Sequence, residues 1–271
     1  MTRKKINVHL AIIIPVFNAY EYLYKCLLSL EKACGSVSYR VYVVDNGSKQ
    51  QDRKAFWSSN SELVDKLMTF DRPLGFPQAN NIGVSAVREE KYLLFLNSDC
   101  FMSPNSIEIM VNKLRENSKI GAVGPKLIFP VDGNMGKGGT VQHAGLDFDT
   151  QGRPTHTFIG WPTDNPKVNK AGEVDCLTGA CLLTRKSLFD KAKGFDQEYG
   201  LGTYEDVSLC LNIRDQGYII YYEPTAVGEH YVGTSAKENN IQFPLNNNFY
   251  LFSHKWGSKI RNTPWTLWKR L

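Results

Sequence analysis

Apolar runs bounded by turn residues alternate with helix-like patterns through the first half of the chain. The clearest run, residues 92–96, is apolar or aromatic at every position and leads directly into Asn97, Ser98 and Asp99. A strand that is apolar on both faces is typical of a central strand covered by helices on each side. The alternation therefore predicts an α/β fold class, with βαβ units around a mostly parallel, Rossmann-like central sheet flanked by helices.

The same patterns set approximate bounds for the elements. Strands are predicted at residues 8–17, 40–44, 66–70, 92–96, 120–129 and 218–223. Helices are predicted at residues 23–34, 78–90, 104–117 and 205–216, the first of them ended by Gly35. Residues 130–175 are dense in glycine and weakly periodic, which favours loops and hairpins. Loops on a rigid scaffold often carry binding specificity.

Length and composition exclude several classes of protein. The 271 residues allow one large domain or two small ones. No apolar stretch approaches the roughly 20 residues of a membrane-spanning helix. Residues 3–5 and 10–14 imitate a signal peptide, but His9 and Pro15 interrupt the apolar segment and no cleavage site follows. Six cysteines without a CxxC pair favour reduced core thiols. We therefore expect a cytoplasmic protein.

Basic residues are concentrated at the two ends of the chain. The net charge is +5, but residues 3–5 and the last 21 residues carry enough lysine and arginine to leave the body mildly acidic. This distribution argues against a nucleic-acid partner, which requires a basic stripe on the folded surface. The tail, residues 236–271, is predicted to be a basic, aromatic helical extension. Two interpretations stay open: contact with the inner face of the cell membrane, or packing on the domain.

Polar clusters follow several predicted strands. Asp45 ends the second strand and can accept hydrogen bonds from a ribose or a base. Asp99 ends the buried central strand and can provide a hard oxygen ligand to a divalent cation on two phosphates. Either aspartate alone is more often a turn or cap residue. Together, at the carboxyl ends of strands, they indicate a nucleoside-diphosphate site.

A series of short motifs occurs in one order along residues 8–235. They are residues 14–18, 43–48, 75–83, 96–99, 178–183, 194–196 and 205–209, followed by His230. In these motifs the chain resembles the inverting glycosyltransferases of family 2, which have the GT-A fold with a smaller acceptor-side subregion. It is most similar to bacterial transferases that extend surface polysaccharides, including rhamnosyltransferase-like members.

The resemblance implies a donor site. It places the nucleoside and the nucleotide-sugar beside Pro15, Phe17, Asn18, Asp45, Asn46 and Asn80. It places Asn97, Ser98 and Asp99 at the Asp-x-Asp position of the family, where Asp99 would hold Mg²⁺ or Mn²⁺ with His230 as a second ligand. The sequence departs from the family here, because Asn97 stands in place of the first acid. That substitution puts the strength of the metal dependence in doubt.

The resemblance also implies a catalytic pair. Asp206 would act as the general base that takes the proton of the acceptor hydroxyl, and Glu205 would help to position the acceptor. The residues alone do not separate two adjacent carboxylates. Both acids could instead stabilise the N-terminus of the predicted helix, as acidic side chains in a first turn do.

The combined expectation is a single-displacement transferase. A UDP- or dTDP-sugar would donate to a hydroxyl of a saccharide or lipid-linked glycan, with residues 1–99 binding nucleotide, residues 100–235 binding the acceptor, and residues 1–235 forming one GT-A domain. The missing acid at Asn97 keeps open a non-catalytic nucleotide-sugar or glycan-binding subunit. A nucleotide-binding dehydrogenase is disfavoured, because no GxGxxG follows the first strand.

Overall fold

The computed structural model describes residues 10–133, 135–234 and 242–262. The strands are β1 (Leu10–Val16), β2 (Tyr39–Asn46), β3 (Lys66–Phe70), β4 (Tyr92–Leu96), β5 (Cys100–Met102), β6 (Ile120–Ile128), β7 (Val141–His143), β8 (Leu146–Phe148), β9 (Pro154–His156), β10 (Gly172–Val174), β11 (Cys181–Arg185) and β12 (Ile219–His230). The helices are α1 (Tyr20–Cys34), α2 (Gln50–Asn60), α3 (Phe76–Ser85), α4 (Ser106–Glu116), α5 (Lys186–Lys191), α6 (Glu205–Asp215) and α7 (Leu245–Asn262).

One sheet passes through both halves of the chain. Its strand order is β10-β12-β6-β11-β4-β1-β2-β3, with β5 paired to β12 and β7 paired to β6. Strands β1 to β4 pair in parallel, and β12 pairs in parallel with β6. Strand β11 lies antiparallel between β4 and β6 and joins the two parallel regions. The predicted α/β class with a central sheet is confirmed, and the antiparallel strands gather in its second half.

Buried side chains cover both faces of this sheet in two apolar clusters. On one face, Leu23, Leu27, Leu30 and Cys34 of α1 are buried, as their spacing predicts. The helix ends at Gly35, whose φ of 52° lies in the region that glycine tolerates best. Strands β3 and β4 have the predicted bounds. All six cysteines are buried and free of disulfide bonds.

Several elements differ from the sequence prediction, among them α2, α3 and β12. Helix α2 was not predicted, because it buries only Trp57 and has no apolar stripe for periodicity to reveal. Helix α3 ends at Ser85 rather than Glu90, since the Glu90 carboxylate accepts the backbone N–H groups of Arg88 and Glu89 in a turn. Strand β12 continues past the predicted end at Glu223, through an irregularity that contains Pro224, as far as His230.

Part of the tail packs on the domain. In α7, the side chain of Phe252 is fully buried, and the Trp256 indole N–H donates to the Ser208 hydroxyl over 3.0 Å. Lys255 lies 2.5 Å from Asp196. Trp265 and Trp268 lie outside the described residues. Within the described ranges, no helix combines the length and the hydropathy needed to span a bilayer.

A buried carboxyl makes the stability of the fold depend on pH. Asp175 is 1% exposed, its Oδ2 has no hydrogen-bond partner among the described residues, and burial raises its pKa to about 7. The unfolded chain ionises this group at its ordinary pKa, so the folded state loses stability as pH rises from about 4 to 7. We expect Asp175→Asn to remove that loss.

Relative to the wild type, the free energy of unfolding of Asp175→Asn should rise only slightly near pH 4 and by about 4 kcal/mol at pH 8. A pKa difference of this size implies that change. Urea unfolding at both pH values measures it. Asp71→Asn is the matched control, because the Asp71 side chain is 97% exposed. Equal gains at pH 4 and pH 8 would contradict the assignment.

Candidate active site

A cleft opens at the edge of the sheet where β1, β2 and β4 end. These strands run in parallel, with Val16 paired to Asp45 near the ends of β1 and β2. Open α/β sheets bind ligands outside the carboxyl ends of their strands. The cleft has a volume of about 300 Å³, within the range of ligand sites. Its lining residues are Pro15, Val16, Phe17, Asn46, Pro73, Gly75, Phe76, Asn97, Ser98, Asp99, Leu201, His230, Val232, Gly233 and Phe243.

The pairing of β5 with β12 places His230 beside Asp99, although the two residues are far apart in the sequence. Strand β5 begins immediately after Asp99, and its Cys100 pairs with His230 at the end of β12. The Tyr231 N–H then donates to the Asp99 carbonyl over 3.0 Å. As a result, His230 Nε2 lies 3.3 Å from Asp99 Oδ1, and the Asn97 amide nitrogen lies 3.2 Å from the same Nε2.

This pair suits a divalent cation that arrives with phosphates. A carboxylate oxygen and an imidazole nitrogen 3.3 Å apart have the separation of two adjacent ligands of one ion, about 3 Å for bonds of 2.0 to 2.2 Å. Among the described residues, no three His, Cys, Asp or Glu side chains form a metal cluster. Two protein ligands leave the remaining coordination positions of the ion for phosphate oxygens and for water molecules. Mg²⁺ commonly keeps several waters and binds substrate phosphates in this way. The residues fit such an ion.

Seven of the predicted binding residues line this one cleft. They come from four separate chain segments and are Pro15, Phe17, Asn46, Asn97, Ser98, Asp99 and His230. Asn46 is fixed in place, because its side-chain oxygen accepts the Leu74 N–H over 2.7 Å. The structure therefore brings residues predicted for the nucleoside pocket together with the residues predicted to hold the cation.

Three predicted residues lie beside the cleft without lining it. Asp45 is fully buried, and its carboxylate accepts the Tyr20 hydroxyl and the Ser48 N–H. Asn18 accepts the Lys49 N–H over 2.8 Å and so ties the loop after β1 to the loop after β2. These contacts brace the two loops.

Asn80 is the third of these residues and lies within α3. It is fully buried, and its amide nitrogen donates to the Phe76 carbonyl over 2.9 Å. Its Oδ1 has no hydrogen-bond partner in the part of the chain that the structure describes. Asn80 thus supports the turn of α3 that presents Phe76 to the cleft.

Glu205 and Asp206 begin α6 in different environments. Glu205 is 5% exposed, and burial together with the neighbouring Asp206 raises its pKa well above the usual range. Burial also raises the pKa of Asp206, but the Gly179 N–H donates to its Oδ2 over 2.7 Å and the Val207 N–H donates to its Oδ1 over 2.8 Å. Donors to a carboxylate stabilise its charged form. The geometry therefore favours Asp206 as the ionised member of the pair.

Phe76 and Asp206 both lie close to Gly179. A Cβ placed on Gly179 would lie 3.2 Å from the Phe76 ring and 3.3 Å from the Asp206 Cβ. Gly75, directly before Phe76, permits the backbone at Gly200 to pack closely, because its φ is 85° and a Cβ there would lie 2.0 Å from the Gly200 carbonyl oxygen. Asp206 is thus close to an aromatic ring that lines the cleft, although Asp206 does not line the cleft itself.

Sequence reasoning missed Phe243 and Gln142 and gave Phe76 no role of its own. Phe76 and Phe243 line the cleft. Gln142 contacts His230 twice, since its Nε2 donates to the His230 carbonyl over 2.8 Å and its Oε1 lies 2.7 Å from His230 Nδ1. Gln142 lies within the glycine-dense segment, and no local spacing links it to a histidine 88 residues away.

The family assignment rests on a match along most of the chain. Residues 11–192 match the family described as glycosyl transferase family 2. The chain belongs to this family. Its glycosyltransferase class, predicted from the ordered motifs, is confirmed.

Curated relatives agree with the family 2 assignment. The chain is 28% identical over 214 residues to the O-antigen biosynthesis protein RfbC of Myxococcus xanthus, covering 76% of this chain and 16% of RfbC. It is 26% identical over 216 residues to the N-acetylglucosaminyl-diphospho-decaprenol L-rhamnosyltransferase of Mycobacterium tuberculosis, covering 72% of this chain and 67% of that protein. The chain thus spans a small part of RfbC and two thirds of the rhamnosyltransferase.

Solved structures confirm the GT-A fold of this family 2 chain. The crystal structure of GalNAc-T7 with UDP, GalNAc and Mn²⁺ superposes with a TM-score of 0.63 at 15% identity. The superposition covers 84% of this chain and 44% of GalNAc-T7.

Proposed function

We propose that this chain is an inverting glycosyltransferase that moves a sugar from a nucleoside-diphosphate donor to a hydroxyl of a saccharide or lipid-linked saccharide in bacterial surface-glycan synthesis. The observation that carries the proposal is the convergence of Asn97, Ser98, Asp99 and His230 on one cleft with the ends of β1 and β2. The names of RfbC and the rhamnosyltransferase support the pathway and the acceptor class.

Asp99 and His230 would hold Mg²⁺ or Mn²⁺ against the diphosphate of a UDP- or dTDP-sugar. When bound, the ion supplies positive charge that stabilises the leaving group as the bond from the sugar to the phosphate breaks. The Mn²⁺ and UDP named with GalNAc-T7 support this choice of ligands. Asn97 leaves this cation site with one protein carboxylate instead of two, which reduces its negative charge.

Asp206 would act on the opposite face of the sugar. The acceptor hydroxyl oxygen forms its bond to the anomeric carbon as the donor's bond to the diphosphate breaks, which inverts the configuration. Asp206 takes the hydroxyl proton, and a positioned base of this kind typically contributes 10²- to 10⁴-fold. Phe76 lines the cleft and approaches the same glycine as Asp206, so the sugar would be placed near this ring.

The experiment that tests the proposal is a donor screen. Each UDP-, dTDP- and GDP-sugar is added with and without Mn²⁺, and ligand binding is read as an increase in Tm. The donor that stabilises the protein is then incubated with it, and the release of nucleoside diphosphate is measured. We expect Mn²⁺-dependent stabilisation by one donor class, followed by slow hydrolysis. Stabilisation with no turnover toward any acceptor would favour a non-catalytic binding subunit.

A further inference from the structure

Gln142 contacts His230 in a way that fixes the orientation of the Gln142 amide. A backbone carbonyl oxygen carries no proton, so the group facing the His230 carbonyl at 2.8 Å must be the Gln142 NH₂. The Gln142 carbonyl oxygen is therefore the atom that faces His230 Nδ1 at 2.7 Å. Because this oxygen only accepts hydrogen bonds, Nδ1 must carry a proton and donate the hydrogen bond.

The proton on Nδ1 determines what His230 presents to the cleft. In a neutral imidazole with a proton on Nδ1, Nε2 carries a lone pair. This Nε2 is the atom that lies 3.2 Å from the Asn97 amide nitrogen, which can donate to it, and 3.3 Å from Asp99 Oδ1. The lone pair and the Asp99 carboxylate are both electron donors, and a cation between them would satisfy both.

A β-bulge directs the Gln142 side chain toward His230. Leu127 pairs with His143 and Ile128 pairs with Val141, so Gln142 is the extra residue of a β-bulge in β7. Such bulges often occur beside active sites, where they change the direction of a side chain. The next pair, Ile128 with Glu229 of β12, places His230 just beyond the bulge. The Gln142 side chain is buried, at 5% exposure.

We propose that Gln142 is a positioning residue that fixes the His230 tautomer and so prepares Nε2 as a metal ligand. The proposal rests on the proposed function, because it assumes a divalent cation at Asp99 and His230. Partners of metal-binding histidines commonly accept a hydrogen bond from the other ring nitrogen, and their loss typically lowers metal affinity about 10- to 100-fold.

Two substitutions of Gln142 distinguish the effect of its hydrogen-bond acceptor from the effect of its side-chain size. Gln142→Met keeps the length of the side chain and removes both hydrogen bonds. Gln142→Glu keeps an oxygen that accepts from Nδ1 and loses the donor to the His230 carbonyl. We expect Mn²⁺ affinity, measured by titration calorimetry in the presence of UDP, to fall about 10- to 100-fold in Gln142→Met and to be largely retained in Gln142→Glu. Circular dichroism melting checks that each variant is folded.

The tautomer gives a readout that needs no metal. Nitrogen-15 NMR of histidine-labelled wild-type protein above pH 7.5 should show a protonated Nδ1 and an unprotonated Nε2 on His230, and Gln142→Met should shift this population. A proton on Nε2 in the wild type, or wild-type Mn²⁺ affinity in Gln142→Met, would overturn the role of Gln142. Absence of Mn²⁺ binding in the wild type, with Nδ1 protonated as expected, would instead overturn the metal site of the proposed function.

Discussion

Asp206→Asn is expected to reduce sugar transfer by about 10²- to 10⁴-fold while leaving the Kd for the nucleotide nearly unchanged. The amide does not take a proton from the acceptor hydroxyl, which explains the loss of rate. Asp206 does not line the cleft, which explains the retained binding. Steady-state kinetics gives the first quantity, and titration calorimetry with the nucleoside diphosphate gives the second.

The control is the same substitution at the other end of the same helix. Asp215 is the last residue of α6 and pairs with Lys259, so Asp215→Asn should retain transfer. The pH profile gives a second check, because a base must be ionised and burial raises the pKa of Asp206. As the pH falls, sugar transfer by the wild type should therefore begin to decline at a pH above the usual pKa range of an aspartate. Full transfer by a folded Asp206→Asn would remove this residue from the mechanism.

Asp99→Asn is expected to abolish most of the contribution of Mn²⁺ to nucleotide binding. The substitution replaces a charged ligand with a neutral amide of the same shape beside His230. Loss of a residue that supports a metal ligand typically lowers metal affinity about 10- to 100-fold. Loss of the ligand itself should lower the affinity at least as much. Calorimetric titration of the nucleoside diphosphate, with and without Mn²⁺, measures the difference.

The comparison variant for this experiment is Asp71→Asn. The Asp71 side chain is 97% exposed and pairs with Arg53, and neither residue lines the cleft, so its neutralisation should leave the effect of Mn²⁺ intact. Wild-type affinity that is identical with and without Mn²⁺ would contradict the metal site. Calorimetry on His230→Ala then tests the second protein ligand in the same way.

The fold could be predicted where the sequence carries a local period. Strand β4 is apolar throughout, and α1 repeats its buried residues at helical spacing, so both were found. Helix α2 buries only Trp57 and was missed, because an exposed helix has no apolar stripe. Strand β11 contributes a short apolar run between β4 and β6, and only its antiparallel pairing to both identifies it as part of the sheet.

The candidate site was predictable in its residue types and less so in its contacts. Asp99 follows a buried strand, a position visible in the sequence, and it does line the cleft. Asp45 has the same kind of position, yet the Tyr20 hydroxyl and the Ser48 N–H occupy its carboxylate. Gln142 reaches His230 through a β-bulge and three neighbouring strands, and a bulge leaves no periodic signal.

The most direct test of this mechanism is a crystal structure with Mn²⁺ and an unreactive analogue of the donor sugar, with the ion located by its anomalous signal. We expect manganese bound to Asp99 and His230 and to the diphosphate, with the Asp206 carboxylate on the face of the anomeric carbon opposite the leaving group. Manganese bound elsewhere, or an anomeric carbon facing away from Asp206, would contradict it.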